Sequence, residues 1–214
     1  MNAAAHPLLA HFHRCARGNF PPADGGVTML DALPSGKTAV VCSTGHAFIA
    51  TDSPGLLAGL HIDGFGSAHA PEVLLRLSRG GTIDVIDLTL VATGRGGGSS
   101  LTVSNQLDDH PRVRYARTLR TDVVVHGDER GFVTIGTGMA GRVEMSIEIP
   151  DDTRGAGVGR ALIDEALGLV EAGTDLFAAV SPGNARSLRA FLAVGFIAIG
   201  SEVVITPGRS AELS

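Results

Sequence analysis

Scarcity marks this sequence first. In 214 residues there are two cysteines, one tyrosine and a single lysine. Cys15 and Cys42 cannot make a disulfide framework, so the fold must stand on its core, and a reducing compartment fits. Lys37 is the only lysine, nearly all positive charge is arginine, and no function follows from that. No apolar run approaches the roughly 20 residues of a membrane span, so no membrane-spanning helix is expected. The start Met1-Asn2-Ala3-Ala4-Ala5-His6-Pro7 lacks the basic and apolar stretches of a signal peptide, so a cytoplasmic location is expected. Positive charge is also short: the net charge is -5, which argues against a nucleic-acid partner.

What is present is apolar residue. Hydrophobic residues make up 44% of the chain, enough for a real core and against disorder. The length suits one large domain or two small ones. The run Gly94-Arg95-Gly96-Gly97-Gly98-Ser99-Ser100 has the composition of a flexible linker and predicts a boundary between residues 1–100 and 101–214.

In the first half, Leu8, Leu9, Phe12 and Cys15 have helical spacing. Thr38–Thr44 and Ala47–Thr51 flank Gly45-His46 as a hairpin, Pro71–Arg79 reads as a helix, and Thr82–Ala92 as a strand. That is mixed α/β, with no motif that states a role. In the second half, a helix over Asp109–Arg120 is expected to start near Asp109 as its N-cap. The strands Thr121–His126 and Gly131–Gly136 follow as a hairpin. Arg142–Ile149 alternates, with Val143, Met145, Ile147 and Ile149 on one face and Glu144, Ser146 and Glu148 on the other. Next come a helix with the apolar stripe Val158, Ala161, Leu162, Ala166 and Leu169, a strand Leu176–Val180, a helix Asn184–Val194 and a strand Glu202–Thr206.

Between the alternating strand and the helix lies Arg154-Gly155-Ala156-Gly157-Val158-Gly159-Arg160. Alternate glycines let backbone approach a ligand closely, and a helix N-terminus carries partial positive charge suited to phosphate or pyrophosphate. Arg154 and Arg160 add charge-assisted donors. The bland alternative is a glycine turn that only packs a helix on a sheet. A dinucleotide site fits poorly, because the spacing is G-x-G-x-G and Asp175, about twenty residues on, begins a strand rather than ending one. A P-loop at Gly36-Lys37-Thr38 fails because Asp31 would stand for its first glycine and Pro34 lies inside it.

The pattern Arg154-x-x-Gly157-x-Gly159 resembles the R/Q-x-x-G-x-G/A loop of the GNAT N-acetyltransferase superfamily. Asn184-x-x-Ser187-x-x-x-Phe191-x-x-x-Gly195-Phe196 is similar to that family's second signature, N-x-x-A-x-x-x-Y-x-x-x-G-F. The resemblance covers about residues 101–214. It implies a mixed β-sheet acyl-CoA N-acyltransferase fold carrying an additional N-terminal α/β domain. That domain is loosely similar in its order of elements to a degenerate copy, without the glycine signature. The implied function is transfer of an acetyl or other acyl group from acetyl-CoA to the amine of a small molecule or peptide by direct attack in a ternary complex.

The resemblance also implies site roles. The strand Arg142–Ile149 would splay from Leu176–Val180 with acetyl-CoA in the gap. Its pantetheine arm would pair with Ile147, Glu148 and Ile149, and its pyrophosphate would sit on Gly155, Ala156, Gly157, Val158, Gly159 and Arg160, with Arg154 beside them. Asn184 would contact the pantetheine, and Phe191 would pack near the thioester. Glu144 is the expected general base and Glu148 the second candidate; a strand bulge would exchange them. Phe191 stands where the family carries a tyrosine acid and cannot donate a proton. The alternatives are a non-catalytic acyl-CoA-binding or regulatory module and, third, a nucleotide-binding protein. A second copy of the chain, as a homodimer, completes the expected partners. No metal site is expected: of His11, His13 and Cys15 only His11 and Cys15 share a helix face. His46 and His61 are candidates for an acceptor pocket.

Overall fold

The computed structural model describes residues 5–150, 155 and 157–208. In chain order its elements are α1 (Pro7–Ala16), β1 (Val27–Leu30), β2 (Thr38–Ser43), β3 (His46–Ala50), α2 (Pro71–Ser78), β4 (Thr82–Ile83), β5 (Asp87–Thr93) and β6 (Thr102–Val103). They continue with α3 (Pro111–Leu119), β7 (Thr121–Asp128), β8 (Gly131–Thr137), β9 (Val143–Glu148), α4 (Val158–Leu169), β10 (Asp175–Val180), α5 (Ala185–Ala193) and β11 (Ile197–Thr206). Among the described residues no helix is long and apolar enough to cross a membrane.

The chain forms two compact units, one of Met1–Leu88 with Ile199–Ser214 and the other of Thr89–Ala198. The division does not fall at the glycine-rich run, which lies inside the second unit. The last strand belongs with the first unit because β11 pairs antiparallel with β2, from Ser201↔Cys42 to Ile205↔Thr38, and with β4.

In the first unit the strand order is β1-β3-β2-β11, with β4 on β11. The β2–β3 hairpin turns at Thr44-Gly45, both at positive φ. β1 runs parallel to β3 and was not anticipated; four residues without alternation give no sequence signal. The single strand expected over Thr82–Ala92 is two, β4 and β5, with a break at Asp84–Ile86. One face packs Val40, Ala47, Ile49, Val203 and Ile205 against Val73, Leu74 and Leu77 of α2. α1 starts at Pro7, whose fixed φ suits the first helical position, and His6 Nδ1 accepts from Leu8 N–H at 3.3 Å as its cap. Its buried face is Leu8, His11, Phe12 and Cys15.

In the second unit the order is β5-β10-β9-β8-β7-β6. β7, β8 and β9 form an antiparallel meander. α3 repeats the device of α1: Pro111 follows His110, whose Nδ1 accepts from Arg112 N–H at 3.1 Å. The cap is therefore His110 rather than Asp109, and Asp109 pairs with Arg114 at 2.9 Å instead. α4 buries Leu162, Ile163, Ala166, Leu167 and Gly168. The expected stripe is turned because a second surface, the Gly94–Ser100 run, also covers the helix.

That run is no linker. Arg95 N–H bonds Leu167 O at 2.8 Å, Gly96 N–H bonds Val170 O at 2.8 Å, and Gly98 N–H bonds Gly168 O at 3.2 Å, satisfying carbonyls at the end of α4. Glu165 accepts from Ser99 Oγ at 2.6 Å and from Ser100 N–H and Oγ at 2.8 and 2.7 Å. Those bonds hold its pKa down to about 2. The glycines are there for contact: a Cβ on Gly168 would lie 2.2 Å from Gly98 O.

Glycine to alanine inside a helix ordinarily stabilises by up to about 1 kcal/mol. Gly168→Ala is expected to do the reverse, losing about 1–3 kcal/mol, because the obstacle is backbone that has to move. Urea denaturation measures it; a variant as stable as the parent would mean that the glycine run is not held as described.

Candidate functional site

β9 uses its two edges unequally. Toward β8 it pairs along its whole length, from Val143↔Thr137 to Glu148↔Phe132. Toward β10 it pairs only at Val143↔Leu176 and Glu144↔Phe177. Past Glu144 the parallel pairing stops, so over Met145–Glu148 that edge of β9 has no strand partner among the described residues. A cleft between diverging parallel strands exposes backbone N–H and C=O groups that an extended ligand can satisfy.

The start of α4 lies beside the same strand. A Cβ on Gly159 would come within 3.1 Å of Ile149 Cδ1 and 3.9 Å of Ile147 Cδ1 and of Ala190 Cβ on α5. The missing side chain thus lets the first turn of α4 sit on β9 and α5. Gly155 and Gly157 serve a different need, having φ of +137° and +86°, in the region that penalises other residues. Among the described residues no atom lies within 4 Å of where their Cβ atoms would be. Gly157 caps α4 and Val158 N–H bonds Gly155 O at 3.0 Å. Arg160 is exposed in the first turn. Arg154 and Ala156, the other loop residues of interest, lie outside the described residues.

Glu144 is surrounded. It is 6% exposed, and its Oε1 accepts from Arg142 Nε at 2.8 Å and from Met139 N–H at 2.8 Å. Its Oε2 accepts from Arg120 Nε at 3.0 Å. Burial alone would push its pKa up; the charges of Arg142 and Arg120 overcome that and hold the carboxyl below the usual range. Gly138 makes room for it, since a Cβ there would lie 2.1 Å from the carboxylate carbon. Arg120 spreads the network, donating to Thr134 Oγ1, Ser146 Oγ and Met145 O at 3.1, 3.3 and 3.3 Å. Arg142 is fully buried, with its guanidinium carbon 5.2 Å from the centre of the Phe177 ring. Sequence reasoning did not find this pair. Arg142 shares the strand face of Glu144 two residues on, which is a usable signal; Arg120 arrives from the end of α3 and leaves none.

The other expected residues are scattered in kind. Glu148 is about a third exposed, 3.8 Å from Arg112 Nε. Ile147 and Ile149 are half-buried. Asn184 caps α5, its Oδ1 accepting from Ser187 N–H at 3.1 Å. Phe191 is buried, edge-on to Phe196 with ring centres 4.9 Å apart. Tyr115 is exposed on α3. In the first unit His11 is buried against Cys15 and Ser43, and desolvation lowers its pKa to about 4. His46 is tied to Asp24 and Thr28.

No family profile matches the chain, and no curated protein does. Solved structures similar to it include an acetyltransferase from the GNAT family from Colwellia psychrerythraea, with TM-score 0.42 and 11% identity over 61% of this chain and 59% of that one. Another is a GCN5-related N-acetyltransferase from Kribbella flavida, with TM-score 0.38 and 14% identity over 67% of each chain. The chain thus spans about three fifths of the length of the Colwellia protein.

Removing the anion from between two buried guanidiniums leaves their charge uncompensated, at a cost of about 3–5 kcal/mol. Glu144→Gln is expected to lose that much at neutral pH. Because the folded pKa is depressed, the contribution is complete above the ordinary glutamate value of about 4.3 and fades as pH falls through the lower folded value. The stability gap between parent and variant should therefore narrow in acid. Urea midpoints from pH 7 downward test it, and a gap independent of pH would contradict the ion-pair account.

Proposed function

We propose that the second unit binds an acyl-CoA and transfers the acyl group to an amine. The observation that carries this reading is the end of β9–β10 pairing at Glu144↔Phe177, which leaves the edge of β9 free beside a glycine-capped helix start. A pantetheine arm, an extended chain with two amides, matches the strand edge at Ile147 and Glu148, with Ile149 next along the chain. A pyrophosphate matches the N–H groups of the Gly155–Arg160 turn and the charge of Arg160, and among the described residues no atom crowds the Cβ positions of Gly155 and Gly157. When bound, acyl-CoA supplies an activated thioester.

Of the two carboxylates on the polar face of β9, Glu148 is the better base. Both oxygens of Glu144 are occupied by Arg142, Met139 and Arg120, and its charge is needed where it is. Glu148 is accessible to solvent, with Arg112 alongside. Its task is to take the proton of an ammonium acceptor, whose reference pKa near 10.4 makes the base necessary. Thiols have a reference pKa near 8.5, so the thiolate can leave without an acid where Phe191 stands. An acyl-CoA-binding module without turnover is the second reading, favoured by the buried Phe191 and the engaged Glu144.

Calorimetry is expected to show acetyl-CoA binding to the protein, greatly weakened in Gly157→Glu, which sets a carboxylate and a strained φ in the phosphate path. Free-thiol release over a panel of amines separates the two readings: Glu148→Gln should lower kcat while leaving the KM for acetyl-CoA near that of the parent. Binding without thiol release from any amine favours the module, and absence of acetyl-CoA binding refutes both.

A further inference from the structure

The first unit contains a hydrogen-bonded sequence that the acyl-CoA reading does not use. His46, at the start of β3, meets Asp24 Oδ1 through Nδ1 at 2.8 Å and Thr28 Oγ1 through Nε2 at 2.9 Å. We infer that Asp24, His46 and Thr28 form a nucleophile relay in which Thr28 is the acyl acceptor and small apolar esters are the substrate class.

Chemistry fixes the direction of the relay. An ionised carboxylate can only accept, so when His46 is neutral its proton sits on Nδ1 and is donated to Asp24. Nε2 then carries the lone pair and accepts from the Thr28 hydroxyl. Asp24 stays ionised, because its bonds from His46 and from Gly26 N–H at 2.7 Å both lower its pKa. A nucleophile bonded to a base that is oriented by a third group is the geometry that activates a hydroxyl.

The surroundings support a reacting centre. The imidazole is held on a second side by Phe48, ring centres 5.0 Å apart, and its side chain is 13% exposed, while Thr28 is half-buried. Gly26 is required by the pair: a Cβ there would stand 2.8 Å from Asp24 Oδ1 and 2.9 Å from His46 Cε1. β1 is the end strand of the first unit's sheet. Its bonds to β3 run through Gly26 O and Leu30 O, so the N–H of Met29, next to Thr28, faces the open edge and can meet a developing oxyanion. Apolar surface flanks the site. Met29 is 41% exposed, and Phe65, 68% exposed, packs its ring on Gly25 and Gly45 with Gly64 against the His46 backbone. Exposed apolar residues next to an activated hydroxyl favour an apolar acyl or aryl group over a charged one.

The step balances as follows. Thr28 Oγ bonds to the ester carbonyl carbon and its proton passes to His46 Nε2. The bond from carbon to the leaving oxygen breaks and His46 gives its proton to the departing alkoxide, or to solvent when a phenolate leaves, so that acyl-Thr28, the alcohol or phenolate and a neutral His46 result. A water deprotonated by His46 then attacks the new ester, the bond to Oγ breaks, and Oγ regains the proton.

The test uses p-nitrophenyl acetate with the full chain, reading phenolate release by absorbance and the adduct by peptide mass spectrometry. An acetyl group on Thr28 is expected. Thr28→Val, checked for an unchanged far-UV spectrum, should lose both adduct and turnover, and Thr28→Ser should keep them. Asp24→Asn, which frees the tautomer, should slow release roughly 10²–10⁴-fold. If the parent is not acetylated on Thr28, or if Thr28→Val releases phenolate as fast as the parent, the relay is overturned. Neither outcome bears on acetyl-CoA binding by the second unit.

Discussion

The arrangement of the second unit turns on one buried ion network. Arg120 and Arg142 converge on Glu144, the last residue of β9 that pairs with β10. Three charges out of water are costly, and they are tolerated because nearly every donor and acceptor finds a partner: Met139 N–H on one carboxylate oxygen, and Thr134, Ser146 and Met145 O around Arg120. The network ties the end of α3 to β8 and β9 and lays Arg142 against Phe177 of β10. It therefore anchors β9 at the place where the two parallel strands part. A carboxylate so placed organises the strand, because both of its oxygens are held by other groups.

Glycine does the complementary work around the cleft, by absence of side chain in two distinct senses. Gly155 and Gly157 are needed for a backbone conformation, and among the described residues no atom lies within 4 Å of their Cβ positions. Gly159, Gly168 and Gly138 adopt no left-handed conformation and are needed because something else occupies the position of a Cβ: Ile149, a carbonyl of Gly98, and the Glu144 carboxylate. One composition thus serves a backbone conformation, helix packing and the seating of a charge.

Much of the fold was legible because periodicity survives in the sequence. The alternation of Arg142–Ile149 placed β9 and its two faces, and Ile147 and Ile149 do meet α4. The helix α5 was visible from spacing, and its expected first residue, Asn184, is its cap. Illegible features depended on tertiary partners. The glycine run at 94–98 has the composition of a linker, and only the end of α4 turns it into packed structure. β1 is too short to show a period. The candidate site was read by residue type, so Glu144 was expected as a general base, whereas Arg142 and Arg120, the latter from elsewhere in the chain, engage it in ion pairs. His46 was noticed as a histidine at a turn, but Asp24 and Thr28, eighteen and more residues before it, share no motif with it.

The pairing of β11 has a bearing on how the protein is made. The first unit's sheet needs a strand that leaves the ribosome after everything in the second unit, since β11 joins β2 through five residue pairs and also carries β4. During synthesis β2 must wait with an unsatisfied edge of Thr38–Ser43, an apolar run open to wrong partners. The second unit is continuous from Thr89 to Ala198, so its whole stretch of chain has emerged before β11 is complete. Synthesis from one end of the chain thus sets an order of completion opposite to the order of the sequence, and the unit begun first is the one finished last.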